Sequence, residues 1–195
     1  YVYTEISRQT LWDTYLPPYE WGVKAGAASV MSAFNDISGT PATANAYTLS
    51  EVLKNRWKFD GLVVSDWDAV KQLVTQGFAS SPEDAAMKAI HAGLDIDMIS
   101  GCYHEHLAGL VQEGKVTIEE VDEAVRRVLR LKFRLGLFEH PYTPESAETE
   151  RFLLPASKAA ARQLAEESMV LLKNERNTLP LSSAPATIAV VGPLA

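Results

Sequence analysis

The chain has 195 residues, of which 47% are hydrophobic and 22% are charged, and its formal net charge at pH 7 is −7. This is the composition of a folded globular protein, so it excludes an intrinsically disordered chain. The acidic balance without a basic run argues against a nucleic-acid partner, and no apolar run approaches the roughly 20 residues of a membrane helix.

The first part of the chain is predicted to alternate helix and strand. Residues 7–26 carry apolar residues at helical spacing, with Ser7 as N-cap and a break or kink at Pro17-Pro18. Residues 28–34 predict a short strand. Thr48-Leu49-Ser50-Glu51 matches a capping box, which predicts a second helix that ends before Gly61.

The alternation continues through the middle of the chain. Gly61-Leu62-Val63-Val64 predicts a strand buried on both faces, and residues 94–98 predict another strand. Between them, Ser81-Pro82-Glu83-Asp84 begins a helix that Gly93 closes. Strands that alternate with helices in this order indicate a parallel sheet or an α/β barrel.

Two further helices are predicted at residues 103–113 and from Thr117-Ile118-Glu119-Glu120, a second capping box, to Leu135. In the longer helix one apolar face should be buried and the arginines should face solvent. The apolar positions are Val121, Val125, Val128 and Leu129, and the arginines are Arg126, Arg127 and Arg130.

The last 55 residues predict a separate region. Residues 141–150 are rich in proline and acids and indicate a linker. A helix is predicted at residues 155–167, with strands at 169–172 and 187–191. A closing strand with nothing after it to cover its faces suggests the start of a second domain.

Asp66 is the first candidate for chemistry. It follows the buried strand at Ser65-Asp66-Trp67, and a carboxylate rarely ends such a strand unless it is hydrogen-bonded, metal-bound or facing a polar pocket. Catalytic groups of α/β sheets and barrels lie at these strand ends. The histidines are isolated or two residues apart and Cys102 is the only cysteine, so no zinc or copper site, disulfide or cofactor is predicted.

The sequence resembles glycoside hydrolase family 3, the β-glucosidase group. The resemblance is carried by residues 31–35, 39–44, 61–67, 92–98, 126–137 and 171–174. It implies an α/β chain that forms the later part of a (β/α)8 TIM-like barrel, followed by a linker and the first elements of an α/β sandwich domain. The implied boundaries are 1–140 for the barrel part, 141–154 for the linker and 155–195 for the sandwich.

The resemblance also implies a function and a site. The family contains retaining glycoside hydrolases that release terminal β-D-glucosyl residues, and its strand-end nucleophile matches Asp66. Trp67 matches an aromatic residue on which a sugar stacks, and Met31, Ser32 and Phe34 match the preceding strand exit. The family often has a tyrosine where Phe34 stands, so a hydrogen bond from that hydroxyl to the nucleophile is not expected here.

Several alternatives stay open from the sequence. The substrate could be another sugar such as β-xylose, or the chain could be a non-catalytic structural piece that is inactive without the rest of the enzyme. Asp95 and Asp97 share a strand face, which suits an acid/base pair, a metal site or a structural acid. The resemblance places the general acid/base outside the chain, so the expected partners are a β-glucoside or oligosaccharide and the remaining polypeptide. Assembly into homo-oligomers and the compartment are undetermined.

Overall fold

The computed structural model describes residues 3–145, 151–181, 187, 189 and 191–193. The chain divides into two compact units, residues 1–142 and residues 143–195. The first unit contains the hydrophobic core and a mixture of helices and short strands.

Three parallel segments form the centre of the first unit. Strand β1 (Ser29–Met31) pairs in parallel with β4 (Leu62–Val64), with Val30 opposite Val63. On the other side of β4, Ile96 forms a single parallel bridge with Val64. A small antiparallel pair, β2 (Asp36–Ile37) and β3 (Thr40–Pro41), follows β1.

The predicted strand at residues 94–98 is wrong as a regular strand, because only Ile96 pairs in ladder fashion. Asp95 and Ile96 both donate their N–H groups to the carbonyl oxygen of Val63, at 2.9 and 3.0 Å. Farther along, the N–H of Met98 donates to the side chain of Ser65 and not to a main-chain carbonyl. The segment therefore lies beside β4 without making the even spacing of a parallel ladder.

The N-terminal helix α1 is continuous over three segments, Arg8–Thr10, Leu11–Tyr15 and Leu16–Lys24, the middle one π-helical. Ser7 accepts a hydrogen bond from the Thr10 N–H, which confirms the predicted cap. Pro17 and Pro18 do not break the helix. They directly follow the π-helical segment, where the Leu16 N–H already bonds to the Leu11 carbonyl five residues back and the regular i→i−4 pattern is interrupted.

Helix α2 (Tyr47–Arg56) has π-helical hydrogen bonding, and the predicted capping box at Thr48 is wrong. The side chain of Asn45 accepts from the Thr48 N–H at 3.1 Å, and the Thr48 hydroxyl donates back to the Asn45 carbonyl at 3.2 Å. Asn45 is one of the best capping residues, and it begins the helix earlier than the Thr-x-x-Glu pattern indicated.

Four helices follow β4: α3 (Ala69–Thr75), α4 (Pro82–Ala92), α5 (Cys102–Gln112) and α6 (Ile118–Arg134). The sequence did not predict α3, which is short. The other three are confirmed, including the α4 stop at Gly93, where φ is +97°. Thr117 and Glu120 complete the capping box of α6 in both directions.

The predicted faces of α6 are only partly correct. Ala124 is buried, but Val125 and Leu129 are exposed among the described residues. Arg127 was expected in solvent, yet its side chain is only 13% exposed and donates to the carbonyl oxygens of Phe59 and Gly61 at 3.0 and 2.9 Å. Three main-chain carbonyls at the start of β4 need donors, and Arg127 and Arg130 supply them.

The core surrounds β4 and the helices packed on it. Its fully buried members include Val63, Val70, Leu73, Ala89 and Leu94. Since these side chains come from β4, from α3 and α4 and from the segment beside β4, the core holds the end of β4 in one position.

The second unit contains helix α7 (Pro155–Glu167), which confirms the predicted helix. The predicted strand at residues 169–172 is wrong, because these residues have no strand partner among the described part of the chain. A strand without a neighbour cannot satisfy its main-chain groups. Residues 146–150 of the predicted linker and residues 188 and 190 of the strand predicted at 187–191 lie outside the described residues.

Candidate active site

The exit of β4 carries three consecutive polar or aromatic residues. Ser65 is fully buried, and its N–H donates to the Ile96 carbonyl at 2.9 Å. Its hydroxyl donates to the Asp66 carbonyl at 2.9 Å and accepts from the Met98 N–H at 2.8 Å. The residue before the candidate nucleophile is therefore bonded to the neighbouring segment through both its main chain and its side chain.

Asp66 is partly exposed. Its Oδ1 accepts from the N–H of Trp67 at 2.7 Å, and its carbonyl accepts from the Ala69 N–H at 3.1 Å. Within the described residues, no Lys, Arg or His forms an ion pair with it. The carboxylate is thus fixed by a main-chain donor and stays open on its other oxygen.

Trp67 is 62% exposed and is not a member of either hydrophobic core cluster. A tryptophan of the hydrophobic core would be buried, so Trp67 is not a core residue. Its indole is available to lie against the apolar face of a ring, and it stands next to the Asp66 carboxylate.

The three candidates at the exit of β1 have different surroundings. Met31 is exposed, whereas Ser32 is buried and bonded by its hydroxyl to that of Thr43 at 3.0 Å. Met31 and Ser32 both line a cavity of about 200 Å³. Phe34 lines a separate cavity of about 320 Å³, and its carbonyl accepts from Gln76 Nε2 at 2.9 Å.

The structure brings Asp66 and Trp67 together, and β1 is the direct neighbour of β4. Neither of the two cavities is lined by Asp66 or Trp67. The Ser32 N–H donates to the Val64 carbonyl at 2.9 Å, so the two strand exits are joined one residue before Ser65.

Asp95 and Asp97 do not form a shared site. Asp95 is buried, with Oδ1 2.7 Å from Lys54 Nζ and Oδ2 accepting from the Val63 N–H at 2.7 Å. Asp97 accepts instead from the Ser100 hydroxyl at 2.5 Å and from the Tyr103 N–H at 3.1 Å, at the start of α5. Each carboxylate organises a different part of the main chain.

Burial governs the ionisation of the Lys54 and Asp95 pair. Burial raises the pKa of the Asp95 carboxyl, and the Lys54 ammonium opposes that rise. Burial also lowers the pKa of Lys54, and Asp95 opposes that fall. Because Asp95 also accepts from the Val63 N–H, the pair supports the middle of β4.

The described residues limit which metal sites and membrane helices this part of the chain can form. In that part of the chain no group of three or more His, Cys, Asp and Glu side chains is placed to hold a metal ion. Over the same residues, no helix is both long and apolar enough to cross a bilayer.

Sequence reasoning missed the part that Met98 plays. The Met98 N–H donates to Ser65 and the Met98 carbonyl accepts from the Asp68 N–H at 3.0 Å. Asp68 has a left-handed conformation with φ of +58°, which Asp tolerates better than most residues. In the sequence, Asp68 after the strand exit is the one signal for this turn, and it does not indicate that Met98 is the hydrogen-bond partner.

Comparisons with known proteins place the chain among glycosidases. Residues 1–131 match the sequence profile described as glycosyl hydrolase family 3 N terminal domain. The chain is 44% identical over 199 aligned residues to the periplasmic β-glucosidase of Salmonella typhimurium strain LT2, covering 98% of this chain and 26% of that protein. It is 34% identical over 201 aligned residues to a β-xylosidase of Formosa agariphila, covering 98% and 28%.

A solved structure gives the same picture. The crystal structure of β-glucosidase from Listeria innocua matches with a TM-score of 0.82 and 41% identity, covering 93% of this chain and 25% of that one. Other crystal structures of the Listeria enzyme contain glucose and, for a mutant, laminaribiose. The chain spans about a quarter of the length of the curated relatives it matches.

Proposed function

This chain belongs to glycosyl hydrolase family 3, and we propose that its Asp66 is the catalytic nucleophile of a retaining β-glycosidase. The observation that carries the proposal is the exit of β4, where a partly exposed carboxylate stands beside the exposed indole of Trp67. A nucleophile at the end of a buried strand is held more rigidly than one on a loop.

The reaction follows the retaining scheme. The Asp66 carboxylate attacks the anomeric carbon, and the bond from that carbon to the glycosidic oxygen breaks as a second carboxyl group donates a proton to the leaving oxygen. Water, deprotonated by that second group, then attacks the same carbon and releases Asp66. The two carboxyl groups stand about 5 to 5.5 Å apart in such enzymes.

We place the second carboxyl group in the longer polypeptide, outside these 195 residues. The relatives are about four times as long as the segment matched here. The chain then works together with the remaining polypeptide of the same enzyme, which we call the intact enzyme. Within it, β1, β4 and the segment around Ile96 would be three strands of a (β/α)8 barrel, with 141–154 as linker and 155–195 as the start of the sandwich domain.

Trp67 is the proposed stacking surface for the sugar beyond the scissile bond, and Met31, Ser32 and Phe34 are proposed to border the bound sugar. The proposed substrate is a terminal β-D-glucosyl residue, as in the Salmonella and Listeria relatives. The second candidate is a β-xylosyl residue, which the name of the Formosa relative supports.

The test follows the stereochemistry of the first product. The intact enzyme is incubated with an aryl β-D-glucoside and, separately, with the matching β-D-xyloside, and the released sugar is observed by proton NMR before it mutarotates. We expect the β-anomer to appear first and the glucoside to be the better substrate. Early appearance of the α-anomer would overturn the retaining mechanism. A higher kcat/KM for the xyloside would change only the proposed substrate, from a β-glucosyl to a β-xylosyl residue.

A further inference from the structure

The turn that carries Asp66 is closed by two hydrogen bonds to one residue. Ser65 and Asp68 flank the Asp66-Trp67 pair, and both are bonded to the main chain of Met98. The Met98 N–H donates to the Ser65 hydroxyl at 2.8 Å, and the Met98 carbonyl accepts from the Asp68 N–H at 3.0 Å. The neighbouring segment therefore holds both ends of the turn.

Of the two hydrogen bonds to Met98, one involves a side chain, the Ser65 hydroxyl, and the other joins main-chain groups. The Ser65 hydroxyl accepts from Met98 and donates to the Asp66 carbonyl at 2.9 Å, so both its proton and a lone pair are used. Ser65 is fully buried, so water cannot take over either bond if the hydroxyl is removed. The hydroxyl thus couples the main chain of Asp66 to the exit of the next segment.

We propose that Ser65 is a positioning residue for the Asp66 carboxylate, acting through the main chain of Met98. The inference rests on the proposed role of Asp66. Without the hydroxyl, the Asp66 carbonyl loses its hydrogen bond from Ser65. The turn is then held to Met98 only through the N–H of Asp68, the residue with the left-handed conformation. A shift of about 1 Å at a reacting group can lower a rate about 100-fold.

The core beneath the turn does not depend on this hydroxyl. Val63, Val70 and Leu73 are fully buried members of the hydrophobic core cluster, to which Ser65 does not belong. Alanine at position 65 removes one oxygen and leaves the Cβ in place. We therefore expect the change to act mainly on the geometry of the turn.

The experiment compares three serine or aspartate variants of the intact enzyme. Ser65→Ala removes the positioning hydroxyl, and Asp66→Ala removes the nucleophile. Ser50→Ala is the matched control, because the Ser50 hydroxyl also donates to a main-chain carbonyl, that of Ala92 at 2.9 Å, away from the site. Turnover of an activated aryl β-glucoside is normalised to active sites counted with a slowly released 2-fluoro glycoside for the serine variants, and to folded protein for Asp66→Ala, which has no nucleophile to form the counted intermediate.

For Ser65→Ala we expect kcat per active site to fall about 10- to 100-fold with KM changed less than about threefold. Ser50→Ala should keep the wild-type kcat. If Ser65→Ala gives too little folded protein, Ser65→Cys, which replaces the hydroxyl by a somewhat larger thiol that is a weaker donor, should still lower kcat at least about threefold.

The outcomes separate the two proposals. A wild-type kcat in Ser65→Ala or Ser65→Cys, or a loss confined to KM or to the melting temperature, would overturn the positioning role while Asp66 keeps its own. Substantial turnover by Asp66→Ala would overturn the proposed function first. A loss in Ser50→Ala equal to that in Ser65→Ala would show a general effect of removing serine hydroxyls, and would also overturn the positioning role.

Discussion

Lys54 Nζ lies 2.7 Å from Asp95 Oδ1, although the two residues are 41 positions apart in the chain. Their side chains are only 12% and 3% exposed. Because Asp95 Oδ2 also accepts from the Val63 N–H, the pair ties α2 to the centre of β4. A buried ion pair of this kind is costly to break, since removing one partner leaves the other charge without compensation.

Lys54→Met should destabilise the folded intact enzyme by about 3–5 kcal/mol at pH 7. Burial raises the pKa of Asp95, and the variant lacks the ammonium that opposes this rise. An ionised Asp95 then opposes folding at neutral pH. The penalty should shrink as the pH falls toward the unfolded value of about 3.9, where both states hold the proton.

Urea unfolding at pH 7 and pH 4.5 measures this effect. Lys24→Met is the control, because Lys24 pairs with Glu20 at 2.8 Å on an exposed helix surface, and such pairs contribute about 0–1 kcal/mol. A loss in Lys54→Met that is equal at both pH values would argue against an ionic role for the pair.

Asp66→Ala and Asp66→Asn should abolish hydrolysis by the intact enzyme without unfolding it, because a partly exposed strand-end carboxylate contributes little to packing. Turnover of an aryl β-glucoside and a melting curve check both parts. Residual activity above about a hundredth of the wild type would be too high for loss of a covalent nucleophile.

Trp67→Ala should impair hydrolysis of a disaccharide more than that of an activated aryl glucoside. Losing the stacking face removes about 1 to 2 kcal/mol of binding to the leaving sugar, on which an activated aryl group depends less. The ratio of the two kcat/KM values is the measurement. Equal losses for both substrates would assign the exposed indole some other role.

Arg127→Ala should destabilise the fold by about 2–3 kcal/mol, since it strips the Phe59 and Gly61 carbonyls of a charged donor. Arg126→Ala is the matched control on the same helix. Its side chain is 60% exposed, and among the described residues its ion pairs are with Asp122 and Glu123 of α6. Arg126→Ala should therefore change the free energy of unfolding by no more than about 0.5 kcal/mol. Denaturant unfolding of both variants should separate them, and similar losses would contradict the anchoring role.

Gly61→Ala should destabilise the fold, because a Cβ there would collide with the Ala28 carbonyl oxygen and the ring of Phe59. The Ala28 carbonyl accepts from the Leu62 N–H at 3.2 Å, so the pairing of β1 and β4 would have to shift. Gly109→Ala provides the opposite case. It lies inside α5 with nothing within 4 Å of the added atom, and it should stabilise the helix by up to about 1 kcal/mol. Melting temperatures that move in the same direction would refute this distinction.

The sequence alone was sufficient for the features that depend on neighbouring residues. Ser7, the Thr117 and Glu120 capping box and the stop at Gly93 were all predicted, because a cap or a left-handed glycine acts within one helical turn. Strand β4 was equally clear, since a short apolar run between turns leaves few alternatives. The family resemblance led from that strand to Asp66 and Trp67.

Tertiary structure decided what lies far apart in the chain. The helical pattern alone predicts a surface position for Arg127, but folding brings the carbonyls of Phe59 and Gly61 to it. Residues 94–98 looked like a strand, yet the bond from the Met98 N–H goes to the Ser65 hydroxyl, 33 residues away. Local patterns state what a residue prefers, whereas buried polar groups bond to whichever donors and acceptors the packed core places beside them.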